Sequence, residues 1–193
     1  MIKGFNNALA VAAMLMAPAT VAAGQSATGS AWDHVFTSID GSPMPLANFR
    51  GKVLLVVNTA SFCGFTRQYQ GLQALWSRYE AQGLVVIGVP SNDFGEQEPK
   101  GEAEIKEFCQ GAFGVTFPLT SKVAVTGDAA HPFYAWAREA LGPSAAPGWN
   151  FHKYLVGADG RLVSSFSTRM SPESEPIVAA IETELHKARA AGG

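Results

Sequence analysis

The sequence predicts an α/β fold: a central mixed sheet with helices on both faces. Three observations carry this. Two short apolar, β-branched runs, 52–60 and 83–90, bracket an amphipathic helical pattern, so the first core unit is strand–helix–strand. Asp159-Gly160 sits between two strand-like runs in 151–166, a strong hairpin signal. Further helical patterns at 101–113, 131–141 and from 175 onward alternate with these strands. At 193 residues the chain is long enough for one domain with a substantial core.

Taken in order, "VFTSIDGSPMPL" reads as a small N-terminal hairpin turning at Asp40-Gly41. "KVLLVVNTA" (52–60) is a central strand. Residues 66–81 place Tyr69, Leu72, Leu75, Trp76 and Tyr79 on one helical face. "GLVVIGVP" (83–90) is the second central strand. "GEAEIKEFCQGAF" (101–113) places Ile105, Phe108, Cys109, Ala112 and Phe113 on one face of a helix. A shorter strand is expected near "FPLTS", then a helix over 131–141 with Pro132 in its first turn. The hairpin at 151–166 and a last helix opened by Pro176 complete the chain. With right-handed crossovers this order gives the thioredoxin fold, extended by the N-terminal hairpin. Chemistry is then expected beyond the carboxyl ends of the two central strands.

The first 23 residues differ from the rest: Lys3 is their one charge, "ALAVAAMLMA" is apolar, and "TVAA" puts small side chains at the cleavage positions. This is the outline of a signal peptide cleaved near Ala23, followed by a flexible leader over 24–31 and a domain over 32–190. Export, to a periplasm-like compartment, is the expectation. Pro18 breaks the apolar run, so a membrane anchor is disfavoured and the mature chain is expected to be soluble. Formal net charge is −2 with scattered basic residues, which disfavours a nucleic-acid partner. His34, His131, His152 and His186 lack metal-ligand spacing, no glycine-rich nucleotide loop follows a strand, and no serine nucleophile elbow is present. No metal or cofactor is therefore expected.

Two cysteines remain, Cys63 and Cys109. In an exported chain such a pair is usually a structural disulfide. Cys63, however, lies in "NTASFCGFT" on a strand-to-helix turn, where backbone N–H groups favour a thiolate. A dithiol redox motif has its second cysteine three residues later, and Thr66 stands there instead. Cys109 lies on an apolar helix face, where it reads as a small core residue. It is also a thiol able to condense with a sulfenic acid on Cys63, provided the 101–113 helix opens. Gln97, Trp149 and Asn150 each carry a side-chain N–H donor. Singly these are a loop amide, a core aromatic and a second amide. Converging on one sulfur, they would stabilise a thiolate and the charge developing on a departing oxygen.

The chain resembles the glutathione peroxidase family from about residue 34 to residue 187, through "NTASFCGFT", "GLVVIGVPSNDFGEQEP", "EFCQGAFGVTFPL", "AHPFYAW" and "WNFHKYLVGADGRLV". The resemblance implies a catalytic tetrad of Cys63, Gln97, Trp149 and Asn150, with Cys63 where many animal members carry selenocysteine. It also implies that Cys109, in its "FC" before "GVTFP", is the resolving cysteine of a thioredoxin-dependent type of member. The segment from Leu141 to Trp149 lacks the long insertion of the tetrameric, glutathione-using members. Two departures stand out: Ser91 replaces a cysteine common in the family, and Asp93 replaces a glutamine, adding a carboxylate near the site. The expected activity is reduction of hydrogen peroxide or organic hydroperoxides by Cys63, a Cys63–Cys109 disulfide, and regeneration by a thioredoxin-like reductant. The alternatives are direct use of glutathione, and a peroxide sensor that relays oxidation to a partner protein.

Overall fold

Val35–Thr37 (β1) and Pro43–Pro45 (β2) form the expected N-terminal hairpin, antiparallel, with Phe36 opposite Met44. The computed structural model describes residues 29–192 together with Met1. The expected signal segment, apart from Met1, and most of the leader lie outside the described residues. Ser30 and Ala31, at the end of that leader, are already packed: the Ser30 hydroxyl accepts the Trp32 N–H at 3.2 Å, and Ala31 is buried.

Val53–Thr59 (β3) and Leu84–Pro90 (β4) pair in parallel, joined by the helix Gln68–Tyr79 (α1). Glu102–Phe113 (α2) and Pro132–Leu141 (α3) follow, then Lys153–Val156 (β5), Leu162–Phe166 (β6) and Glu175–Ala191 (α4). The sheet order is β4-β3-β5-β6, with β5 antiparallel to both β3 and β6. This is the mixed sheet of the expected thioredoxin fold.

Every residue of β3 and β4 is buried, as a central strand covered on both faces must be. Alternation along β3 splits the core in two. Val53, Leu55 and Val57 pack with α1, α2 and α4 through Tyr69, Leu72, Ile105, Ile177 and Ile181. Leu54 and Val56 pack on the other side with Phe36, Phe133, Tyr134 and Trp136. Burying one such Leu or Val contributes roughly 1.5–3 kcal/mol, so the doubly covered strands anchor whatever their ends carry.

Two expectations are corrected. "FPLTS" forms no strand; it passes β4 through a single parallel bridge, Leu119 to Gly88, and an antiparallel one, Thr120 to Ser38. Pro118 has no N–H to donate, and only its carbonyl meets Gly88 N–H, at 2.9 Å. The approach is close enough that a Cβ on Gly88 would lie 2.6 Å from Leu119 Cδ2. On α2, Ile105 and Cys109 are buried as expected, but Ala112 is exposed. Phe108 and Phe113, in edge contact at 5.6 Å, are partly buried and cover the same core.

Candidate active site

Cys63 sits just past the carboxyl end of β3, in a chain of turns pinned by one side chain. Thr66 Oγ1 accepts the Cys63 N–H at 3.0 Å and donates back into the turn, its nearest acceptor being Cys63 O at 2.7 Å. The residue that takes the place of a second cysteine thus locks the loop of the first. Because α1 begins only at Gln68, the N–H that reaches the sulfur is not a helical one. It belongs to Phe65 in the turn, 3.4 Å from Sγ. Cys63 is 8% exposed, and its neighbours Phe62 and Phe65 are exposed aromatics.

The turn is tied to the loop after β4. Phe62 N–H donates to Gln97 O at 3.0 Å. The Glu98 carboxylate accepts from the Ser61 N–H at 2.9 Å and from its hydroxyl at 3.0 Å. Glu98 is fully buried, and burial raises its pKa against the opposing pull of Ser61 and of Lys122 and Lys100.

Gln97 Oε1 accepts from Asn150 Nδ2 at 3.0 Å, so two of the expected site residues meet directly. Trp149, the next residue, is 38% exposed and packs its ring against Phe94 at 5.7 Å. A Cβ on Gly95 would lie 3.6 Å from Gln97 Nε2 and 3.7 Å from the Trp149 ring, so the amide and the indole border one position. Asn150 Oδ1 is buried and has no partner. The only non-glycine residues with positive φ among the described residues are Glu96 (53°) and Phe151 (64°). One precedes Gln97 and the other follows Asn150. Such backbone costs roughly 1–3 kcal/mol and persists only where its surroundings impose it.

Those surroundings are residues the sequence did not single out. Three consecutive carbonyls, of Trp149, Asn150 and Phe151, each accept from a side chain on a different segment. The donors are Asn58 Nδ2 (3.1 Å), Thr168 Oγ1 (2.7 Å) and Lys153 Nζ (2.8 Å). Phe151 N–H in turn donates to Asn58 O at 2.6 Å. Asn58 and Thr168 meet their acceptors only through the tertiary fold, whereas Lys153 reaches back two residues to Phe151 O.

Cys109 is fully buried in α2 and, like Cys63, is a free thiol. Burial pushes its pKa up to about 11, against an opposing pull from the neighbouring Tyr69 hydroxyl and with an added push from Glu98. Asp93 turns its carboxylate to the 125–126 segment: Oδ2 accepts from Val125 N–H at 2.7 Å, Thr126 N–H at 2.9 Å and the Thr126 hydroxyl at 3.0 Å. Ser91 is fully buried, with its N–H on Thr59 O at 3.0 Å. Among the described residues no group of three or more His, Cys, Asp or Glu side chains could hold a metal ion, and no helix is long and apolar enough to cross a membrane.

The family profile described as glutathione peroxidase matches residues 31–138. A hydroperoxy fatty acid reductase from Synechocystis sp. is 48% identical over 156 residues, covering 77% of this chain and 91% of that protein. A glutathione peroxidase-like peroxiredoxin from Schizosaccharomyces pombe is 46% identical over 137 residues, covering 69% of this chain and 86% of the relative. Among solved structures, Trgpx in its apo form is 32% identical with a TM-score of 0.64, covering 83% of this chain and 98% of that one.

Proposed function

The chain belongs to the glutathione peroxidase family, as a non-selenium member that reduces hydroperoxides with a thiol, and from that premise we propose a two-cysteine cycle centred on Cys63. The Cys63 thiolate attacks one peroxide oxygen and the O–O bond breaks. The sulfur becomes a sulfenic acid, and the leaving oxygen takes a proton to depart as water or an alcohol. Gln97, Trp149 and Asn150 donate hydrogen bonds to the peroxide and to the departing oxygen. Cys109 then attacks the sulfenic sulfur, its proton leaves with the hydroxyl as water, and a Cys63–Cys109 disulfide forms. A dithiol of the thioredoxin type reopens the disulfide by exchange, becoming oxidised itself.

The observation that carries this reading is the joining of three loops at one end of the sheet. Phe62 N–H on Gln97 O and Asn150 Nδ2 on Gln97 Oε1 bring the Cys63 turn, the loop after β4 and the loop before β5 together. The full burial of Cys109 within an intact α2 favours the second reading, direct reduction of the sulfenic acid by glutathione. The signal-like N-terminus supports an exported enzyme, whose reductant must then work outside the cytosol.

Peroxide consumption measured with a thioredoxin system and with glutathione separates these readings. Cys63→Ser is expected to abolish turnover with both reductants, and retained turnover in it overturns the reading of Cys63. Cys109→Ser is expected to lose thioredoxin-coupled turnover while its first equivalent of peroxide still reacts. Unchanged thioredoxin-coupled turnover in that variant leaves the glutathione reading standing.

A further inference from the structure

Lys153 stands in the middle of the sheet, opposite Val57 on β3 and Phe166 on β6, and is 0% exposed. Its amine donates to Gln68 Oε1 at 2.6 Å, Met170 O at 2.7 Å and Phe151 O at 2.8 Å. The three acceptors belong to the start of α1, to the turn after β6 and to the kink after Asn150. Gln68 Nε2 also donates to Thr168 O at 2.7 Å, and Thr168 Oγ1 holds Asn150 O, so the same segments are cross-linked twice. Lys153 forms no ion pair among the described residues.

The charged groups around it are few. The cross-strand neighbours Val57 and Phe166 are apolar. Arg67 and Arg169 flank two of the acceptor segments but are exposed. His152, the residue before β5, has its pKa lowered to about 4, by burial first and then by the Lys153 charge, so it is neutral at ordinary pH. A buried cation without a counter-ion is costly, and it is held here by hydrogen bonds alone.

We propose that Lys153 is a positioning residue for peroxide reduction: as an ammonium it clamps the strained Phe151 kink and so fixes Trp149 and Asn150 at the Cys63 turn, and as a neutral amine it lets that segment go. The proposal rests on the reading of Asn150 as a peroxide-site residue. Its physical basis is a donor count. Three acceptors surround the nitrogen, and only an ammonium has three N–H groups. A neutral amine has two and must point its lone pair at an oxygen, or leave one acceptor unpaired in a buried site. The acceptor at risk includes the carbonyl of a residue at φ 64°, which stays in that conformation only while it is held. Burial lowers the Lys153 pKa to about 7, so the exchange falls in an accessible range.

The test is the rate at which the first equivalent of hydrogen peroxide oxidises the reduced full chain, measured from pH 5 to 10. Loss of the clamp as Lys153 deprotonates is expected to make the wild-type rate decline on the alkaline side. Lys153→Met is expected to be about tenfold slower at pH 6 and to lose the alkaline decline. A wild-type rate that climbs to a plateau without declining overturns the proposal, as does a decline that persists in Lys153→Met. Should Lys153→Met fail to fold, Gln68→Leu serves, because two acceptors are within the reach of a neutral amine. Its ratio of rates at pH 6 and pH 9 is expected to move toward one, and an unchanged ratio overturns the clamp. Asn150→Ala separates the two readings: a wild-type rate there removes the premise, whereas a slow Asn150→Ala beside a wild-type-like Lys153→Met removes the clamp alone.

Discussion

Glu98 ties the Cys63 turn to the loop that carries Gln97. One carboxylate oxygen serves both the N–H and the hydroxyl of Ser61, two positions before Cys63, while the other is buried with no partner. Glu98→Leu would strand the Ser61 donors in a dry site, at a cost of about 2 kcal/mol. The expected result is a lower urea midpoint at unchanged slope, whereas Glu98→Gln, which keeps an acceptor oxygen, loses less than about 1 kcal/mol. Equal midpoints for Glu98→Leu and wild type would show that this bond does not hold the turn. Residues of this kind mark the limit of what the sequence discloses about the site. Cys63, Gln97, Trp149 and Asn150 could be named as candidates because a thiol, two amides and an indole suggest chemistry and the family resemblance singles them out. Asn58, Glu98 and Lys153 lie in the same motifs, and with Thr168 they were passed over because most of the partners that give them a task are set by the folded sheet. Asp93 was legible as a charge near the site but not as the anchor of residues 125–126, since direction is not written in a residue's identity.

At the level of elements, α2 decides whether the two sulfurs meet. Cys109 is buried and its pKa is pushed up to about 11, so it is a thiol packed in a core while α2 is closed. The helix is held to the hairpin turn by Lys106 and Asp40 at 2.6 Å, a partly exposed pair worth little by itself. Its last turn ends at Gly114 (φ 61°), whose N–H reaches Gln110 O at 3.0 Å, while Val115 N–H reaches Cys109 O at 3.2 Å. Gly111 lies inside the helix, is exposed, and has nothing within 4 Å of an added Cβ. Gly111→Ala therefore stabilises helical α2 by about 0.5–1 kcal/mol without a clash. If the disulfide forms only after α2 unwinds there, this variant reacts with peroxide at the wild-type rate but closes the disulfide up to about fivefold more slowly. Rapid-quench mass spectrometry resolves the two steps, and equal closure rates would exclude unwinding at this position. Periodicity disclosed the helix and its Ile105 and Cys109 face. It did not disclose the exposure of Ala112, because in the last turn Phe113 packs on the core while Ala112 beside it faces out.

Over the whole molecule, the sheet divides the core into two layers with different responses to acid. The unbroken apolar runs of β3 and β4 and the Asp159-Gly160 hairpin made this layering legible, because both are local patterns. The β4-β3-β5-β6 order was less so, since β3 meets β5 across about a hundred residues of chain. The α3 side of the sheet gathers His34, His131 and His152, whose pKa values are all lowered, chiefly by burial. His34 packs on Trp136 at 5.2 Å, His131 stacks on Phe36 at 4.0 Å, and His152 meets Tyr154 at 4.8 Å. For His152 the folded value is about 4 against 6.5 for an ordinary histidine. Between these values the unfolded chain binds the proton and the folded chain does not. Stability is therefore full above about pH 6.5 and falls as the pH drops toward 4. Glu98, with its pKa raised, works in the opposite sense, but it is one group against three. The His152 contribution alone is on the order of 3 kcal/mol over the full interval. Urea midpoints at pH 7 and pH 4.5 are expected to differ in the wild type and to differ much less in His152→Phe. The phenyl ring fills nearly the same volume, and the His152 Nε2 it removes is buried without a partner. An equal pH dependence in the two proteins would mean that the acid sensitivity resides on groups other than His152.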